Sequence, residues 1–210
     1  MTRPREVHRF HGQIAGVGSA SGIRIVVGRW PHSPFGPFAD AMVERPDGRR
    51  FLLAPTDQIA EFVSSTYEFD EVRIEQFAVQ VTGAGRGATW EIASPSLSAR
   101  LAAGPRMPLG HLLRSVPRPL ATSPTWAGLI DPVARIVMRG VRTRGAAVHG
   151  RRESYGATDI RRVVALEGTF DGIPLGALAP VDPPCRFGFS STPRTPSLTS
   201  VTTTVEILSA

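Results

Sequence analysis

Apolar and polar residues alternate with a period of two in short runs separated by glycine and proline, and this pattern recurs through the chain. Side chains of a strand point alternately to opposite faces, so the pattern predicts antiparallel sheet. Residues 7–15 and 22–30 read as a hairpin around GVGSASG, with Ile23, Ile25 and Val27 on one face. FADAMVER and RRFLLAP flank Pro46, Asp47 and Gly48, a reversal signal that predicts a second hairpin. In EVRIEQFAVQVTG the parity changes: Val72 and Ile74 share one face, whereas Phe77, Val79 and Val81 share the other. A bulge near Gln76, or a bend between two sheets, reconciles them. Further strands are expected at 88–93, 96–102, 142–149, 152–170 (one long strand or a bent pair) and 199–208. In the last, Val201, Val205 and Ile207 alternate with Thr202, Thr204 and Glu206, the pattern of a strand that closes or edges the sheet.

Helical spacing is rarer. TDQIAEFVSST offers Thr56 as an N-cap, Asp57 in the first turn and Ile59, Phe62 and Val63 at helical intervals. MPLGHLLRSV is a second, shorter helix. DPVARIVMRG is a third, with Asp131 as N-cap, Pro132 in the first helical position and Gly140 as the stop; it also fits a buried strand. Proline clusters at 105–124 and 180–196 read as connections. A chain of 210 residues with 41% apolar residues suits one core. The expected architecture is a single β-rich domain over 1–210, an antiparallel β-barrel or a two-sheet sandwich with one to three short helices.

Composition narrows the chemistry. All 24 basic residues are arginine, and neither lysine nor asparagine occurs, a bias that points to a GC-rich genome. Without lysine there is no Schiff-base chemistry, no internal pyridoxal phosphate aldimine and no ordinary Walker A loop. The start, MTRPREVHRFHG, lacks the apolar core of a signal peptide, and no run approaches the roughly 18 apolar residues of a bilayer span. The lone Cys185 fits a reducing compartment and reads as a packing residue. Together these predict a cytoplasmic protein.

No cofactor or catalytic motif survives its context. GVGSASG at 16–22 leads into a strand, whereas a dinucleotide fingerprint must open a helix, and GAGRG at 83–87 likewise reads as a turn. No G-x-S-x-G elbow occurs, and the five histidines show no metal-binding spacing, so neither cofactor nor metal is expected. Two features remain. WPHSPFGPF at 30–38 is a stiff aromatic loop that either packs over a sheet end or forms the lip of a pocket, with Trp30, His32 and Phe35 as candidate ligand contacts.

The second is charge. Residues 100–162 carry a net +9 while the remainder carries −3. From position 151 one strand face would bear Arg151, Glu153, Tyr155, Asp159 and Arg161. Such a face is either a solvated exterior or the inside of a cup, where Arg142, Arg144 and Arg151 would hold a carboxylate or phosphate, oriented by Glu153 and Asp159. The leading expectation is non-catalytic binding of a small anionic or amphipathic molecule. The alternatives are an enzyme using acid and base residues within 149–159 (His149, Glu153, Tyr155, Asp159), and nucleic-acid binding through the basic 100–162 segment.

VRTRG, RRESYGATDIRRV, LGALAPVDPPCRFGFSSTPRTPS, SPFGPFADAMVERPDG and LLAPT resemble a conserved hypothetical protein family of high-GC actinobacteria. The resemblance spans most of the chain and implies a cytoplasmic bacterial protein. It transfers no activity, ligand or catalytic residue.

Overall fold

The computed structural model describes residues 5–117, 144–147, 151–188 and 192–208; for residues 5, 6, 144–147, 151–153, 207 and 208 it describes the backbone alone. The chain opens with β1 (Arg5–Ser19) and β2 (Arg24–His32), then β3 (Phe38–Glu44) and β4 (Arg50–Ala54). The first strand runs on through the expected GVGSASG turn, and the reversal is confined to the residues around Gly22, whose φ of 82° lies in the left-handed region that suits glycine. The helix α1 (Asp57–Ser64) follows, with the Thr56 hydroxyl accepting from the Ile59 amide at 3.3 Å. It carries the chain to β5 (Glu71–Ile74), which pairs with β4 in parallel, as a helical crossover permits and a tight turn does not. Next come β6 (Ala78–Thr82), β7 (Thr89–Ala93), β8 (Leu97–Arg106) and α2 (Pro108–Ser115). The remaining strands are β9 (Arg144–Ala147), β10 (Arg151–Phe170), β11 (Ile173–Pro174), β12 (Leu178–Ala179) and β13 (Ser197–Leu208). The helix expected at 131–140 lies outside the described residues.

These strands make one continuous sheet in the order β5-β4-β3-β2-β1-β13-β10-β8-β7-β6, with β9 and β11 paired to β10 and β12 to β1. The protein is mainly β, and its sheet curls into a half-barrel. The parity change in EVRIEQFAVQVTG is not a bulge, nor a bend between two sheets: β5 and β6 are opposite edges of one sheet, and residues 75–77 cross between them. Polar ties hold this crossing. Arg73 donates to Ser96 Oγ at 2.9 Å, and Ser96 donates to Glu75 at 2.7 Å. Of the two places expected for the last strand, closing the sheet or edging it, the edge is not taken: β13 lies inside the sheet and joins β1 to β10. Its alternation is real but both rows are buried: Val201 and Val205 on one face, Thr202 and Thr204 on the other.

The concave side holds the main core, where residues from both halves of the sheet meet; the rings of Phe51 on β4 and Phe170 on β10 lie 5.4 Å apart. The other face of β1–β4 is covered as well. Ile59 and Ala60 of α1 pack on Leu52 and Ala54, and the segment 181–187 lays Val181, Cys185 and Phe187 on Val26. Hence β2 and β3 are buried on both faces.

One fully buried carboxylate fastens the second cover. Glu44 Oε1 sits 2.9 Å from both Arg24 and Arg186 guanidinium nitrogens, and Oε2 accepts the Arg186 backbone amide at 2.7 Å. Arg24 is itself only 4% exposed, so removing Glu44 leaves a buried cation with no counter-charge. Glu44→Ala should therefore cost about 3–5 kcal/mol, read as a lower urea midpoint. The same variant should loosen the cover and expose Cys185, whose thiol burial pushes up to about 12. A thiol reagent should label it faster than in the wild type.

Candidate functional site

The outer face of the first strands carries a cleft under α1. Register places its floor residues in cross-strand rows: Phe10 opposite Thr203 and Thr203 opposite Tyr155, then Ile14 opposite Gly28 and Gly28 opposite Asp40. Trp30 and Phe38 form another pair. The helix adds Phe62 and Val63, and the loop after it adds Thr66 and Tyr67. The cleft has a volume of about 70 Å³, about 560 Å³ with its solvent-open mouth included.

Its walls are aromatic for a geometric reason. Phe10 is a hub, with ring centroids 5.2 Å from Phe62, 5.9 Å from Trp30 and 6.3 Å from Phe38. The Trp30 indole lies across β1 and β2 because Gly12 and Gly28 have no side chains there. A Cβ on Gly12 would sit 2.1 Å from the Arg29 carbonyl oxygen and 2.9 Å from the indole, and one on Gly28 would sit 2.4 Å from both Trp30 Nε1 and Asp40 Oδ1. Glycine at 28 thus permits the hydrogen bond from Trp30 Nε1 to Asp40 Oδ1, 3.0 Å long.

Asp40 is the unusual group. It is 4% exposed, and burial pushes its carboxyl up to about 7, against the smaller opposing effect of the indole N–H. Among the described residues its other oxygen, Oδ2, accepts no hydrogen bond, and no arginine or histidine lines the cleft. Two further polar atoms are without partners: the hydroxyls of Thr66 and Thr203, both buried and both lining the cleft. Buried polar atoms ordinarily find partners, so two such hydroxyls and a carboxyl with one oxygen still open, all facing one space, mark a place for a ligand. At the far side the Tyr67 and Tyr155 hydroxyls hydrogen-bond each other, tying β10 to the loop after α1.

The residues expected from sequence divide between two faces of the sheet. Trp30 and Tyr155 line the cleft. Phe35 packs at its rim, 5.0 Å from Phe62 and stacked on His8 at 6.0 Å, whereas His32 is exposed. Asp159 does not share the face of Tyr155. The β10–β13 register shifts between Ala157 and Asp159, so Tyr155 pairs with Thr203 and Asp159 with Ser200, a residue of opposite parity. There Asp159 takes a two-pronged contact from Arg106, at 2.7 and 3.1 Å, with Arg161 3.7 Å away, and fastens the start of α2 to β10. The expected single face of Arg151, Glu153, Tyr155, Asp159 and Arg161 is therefore broken by a bulge. Arg144 begins β9, while Arg151 and Glu153 begin β10, and only their backbones are described. Arg142 and His149 lie outside the described residues, as does much of the basic segment from 118 to 143.

Sequence reasoning missed Asp40, Thr66, Tyr67 and Thr203. The one signal for Asp40 was an acid in a strand whose other face, Ala39, Ala41 and Val43, is wholly apolar.

Among the described residues no three His, Cys, Asp or Glu side chains converge as a metal site requires, and no helix is long and apolar enough to cross a membrane. No family model matches the chain, and no curated protein or solved structure matches it.

A carboxyl whose folded-state pKa stands above its unfolded value takes up protons on folding. Its favourable contribution is present below about pH 4, the unfolded value, and is lost as the pH rises to about 7. Asp40→Asn keeps an acceptor for Trp30 and removes the charge. Its stability relative to wild type should rise between pH 5 and pH 8.5 by on the order of 2 kcal/mol, and then stay flat. Paired thermal melts across that range check this; a pH-independent difference would sink it. Gly28→Ala, in contrast, should destabilise at every pH by separating Trp30 from Asp40.

Proposed function

We propose that the protein binds a small amphipathic molecule in the cleft under α1, without turning it over. The observation that carries this is the combination of aromatic walls with buried hydroxyls, those of Thr66 and Thr203, that have no partner among the described residues. Aromatic rings supply contact area at low entropic cost, and a few placed polar groups fix orientation. The apolar body of a ligand would lie against Phe10, Phe62 and Val205 while its polar part meets Asp40 and the threonine hydroxyls. Of the anionic and amphipathic ligands expected from the sequence, the amphipathic one fits this lining, since no arginine among the described residues reaches it. We also propose a cytoplasmic location, where the lone Cys185 stays reduced.

A neutral apolar fluorophore such as N-phenyl-1-naphthylamine tests the reading. Its emission should rise and saturate on titration with the protein. Val63→Phe puts a ring into the cleft from α1 and should reduce binding at least tenfold, with a stability change within about 1–3 kcal/mol. Unchanged binding in that variant would place the fluorophore elsewhere and remove the support for this site.

A further inference from the structure

Resting on that reading, we infer that the cleft selects a cation, an amphipathic ammonium compound whose charged head sits against Asp40 Oδ2. The first argument is charge. Asp40 and the tyrosines Tyr67 and Tyr155 are the titratable lining residues of the cleft among those described, and none of them is a base that could neutralise a carboxylate. A buried carboxylate without a cation is costly, and among the described residues Asp40 accepts one hydrogen bond, at Oδ1. An ammonium group would supply both the missing charge and a donor to Oδ2.

The second argument is the wall. Trp30 and Phe38, the rings nearest Asp40 in register, stand with centroids 6.4 Å apart, and Phe10 lies within 6.3 Å of both. The face of an aromatic ring attracts a desolvated cation, indole most of all. An anionic head would meet a carboxyl and the negative faces of rings, with no cation among the described lining residues to offset either.

The third is the spacing of polar groups. Asp40 lies on β3 and Tyr155 on β10, with β2, β1 and β13 between them. Four strand spacings of about 4.8 Å put their backbones about 19 Å apart along the sheet. Thr203 sits near the β10 side, in the row of Phe10 and Tyr155, and its hydroxyl has no partner among the described residues. The ligand is thus elongated rather than compact, with an apolar body between the ammonium head and a weakly polar far end.

The test compares three probes of one shape, octylammonium, octan-1-ol and octanoate, by displacement of the bound fluorophore from the wild-type protein at pH 8.5. Octylammonium should displace it at a concentration at least tenfold lower than octan-1-ol, and octanoate should be weakest. In Asp40→Asn the advantage of the cation over the alcohol should shrink to less than twofold, while the alcohol still binds. Equal or better displacement by octan-1-ol or octanoate on the wild-type protein overturns the cation inference and leaves the binding reading standing. Failure of the fluorophore and all three probes to bind overturns both. The wild-type comparison holds whether or not the variant folds.

Discussion

The half-barrel depends on the ladder between β1 and β13. Twelve paired positions, from Arg5 opposite Leu208 to Gly16 opposite Ser197, join the hairpins of the first quarter of the chain to the far end of the sequence. Eleven more pairs join β13 to β10. Without this strand the sheet would be two separate pieces, each with an apolar face too broad for its own helix to cover. With it, Phe51 of one piece meets Phe170 of the other, and the concave core is completed. Antiparallel pairing at this sequence distance carries a large loop-closure entropy, and the burial of Leu198, Val201 and Val205 offsets part of it.

The cleft exists because closing the core left the opposite face of β1–β4 apolar as well. That face is covered by two short pieces, α1 and the segment 181–187, and two short covers leave an uneven join. Polar anchors set where each piece sits: Thr56 caps the helix, and Glu44 grips Arg186. The remaining gap is floored in part by Gly28 and walled by rings, one of which, Trp30, lies over Gly12. Asp40 lies where a core would normally hold a methyl-bearing side chain. Its position lowers stability at neutral pH, a pattern expected when a site is built for a partner rather than for the fold alone.

Much of the framework was legible from residues alone. Period-two alternation and the glycine turns located most strands, and Thr56 with Ile59 and Phe62 located the first helix to within a residue or two. What sequence could not give was which strands are neighbours. The alternation of Val201 and Val205 with Thr202 and Thr204 looks like one wet and one dry face, yet threonine packs well enough on a sheet for both faces to be buried. The single face from Arg151 to Arg161 failed for another reason: one extra residue at Thr158 inverts every side chain beyond it, and a bulge leaves no compositional mark. Aromatic density in WPHSPFGPF singled out Trp30 and Phe38, which line the cleft, and Phe35 beside them. Asp40 stayed hidden because it shares a cleft with Trp30 and the α1 residues Phe62 and Val63, and strand alternation carries no sign of that cover.

The position of β13 also sets a timetable. A ribosome adds about 5–20 residues per second, so about 180 residues separate the end of β1 from the start of β13 by roughly 10–40 s. During that interval the outer edge of β1 presents unpaired amides and carbonyls to the surrounding cell, the situation that chaperones and edge-to-edge aggregation both exploit. Arg9 lies exposed along that strand, and charge there discourages pairing with another chain until its own partner emerges. One arginine of β1 thereby guards a nascent protein as well as decorating a finished one.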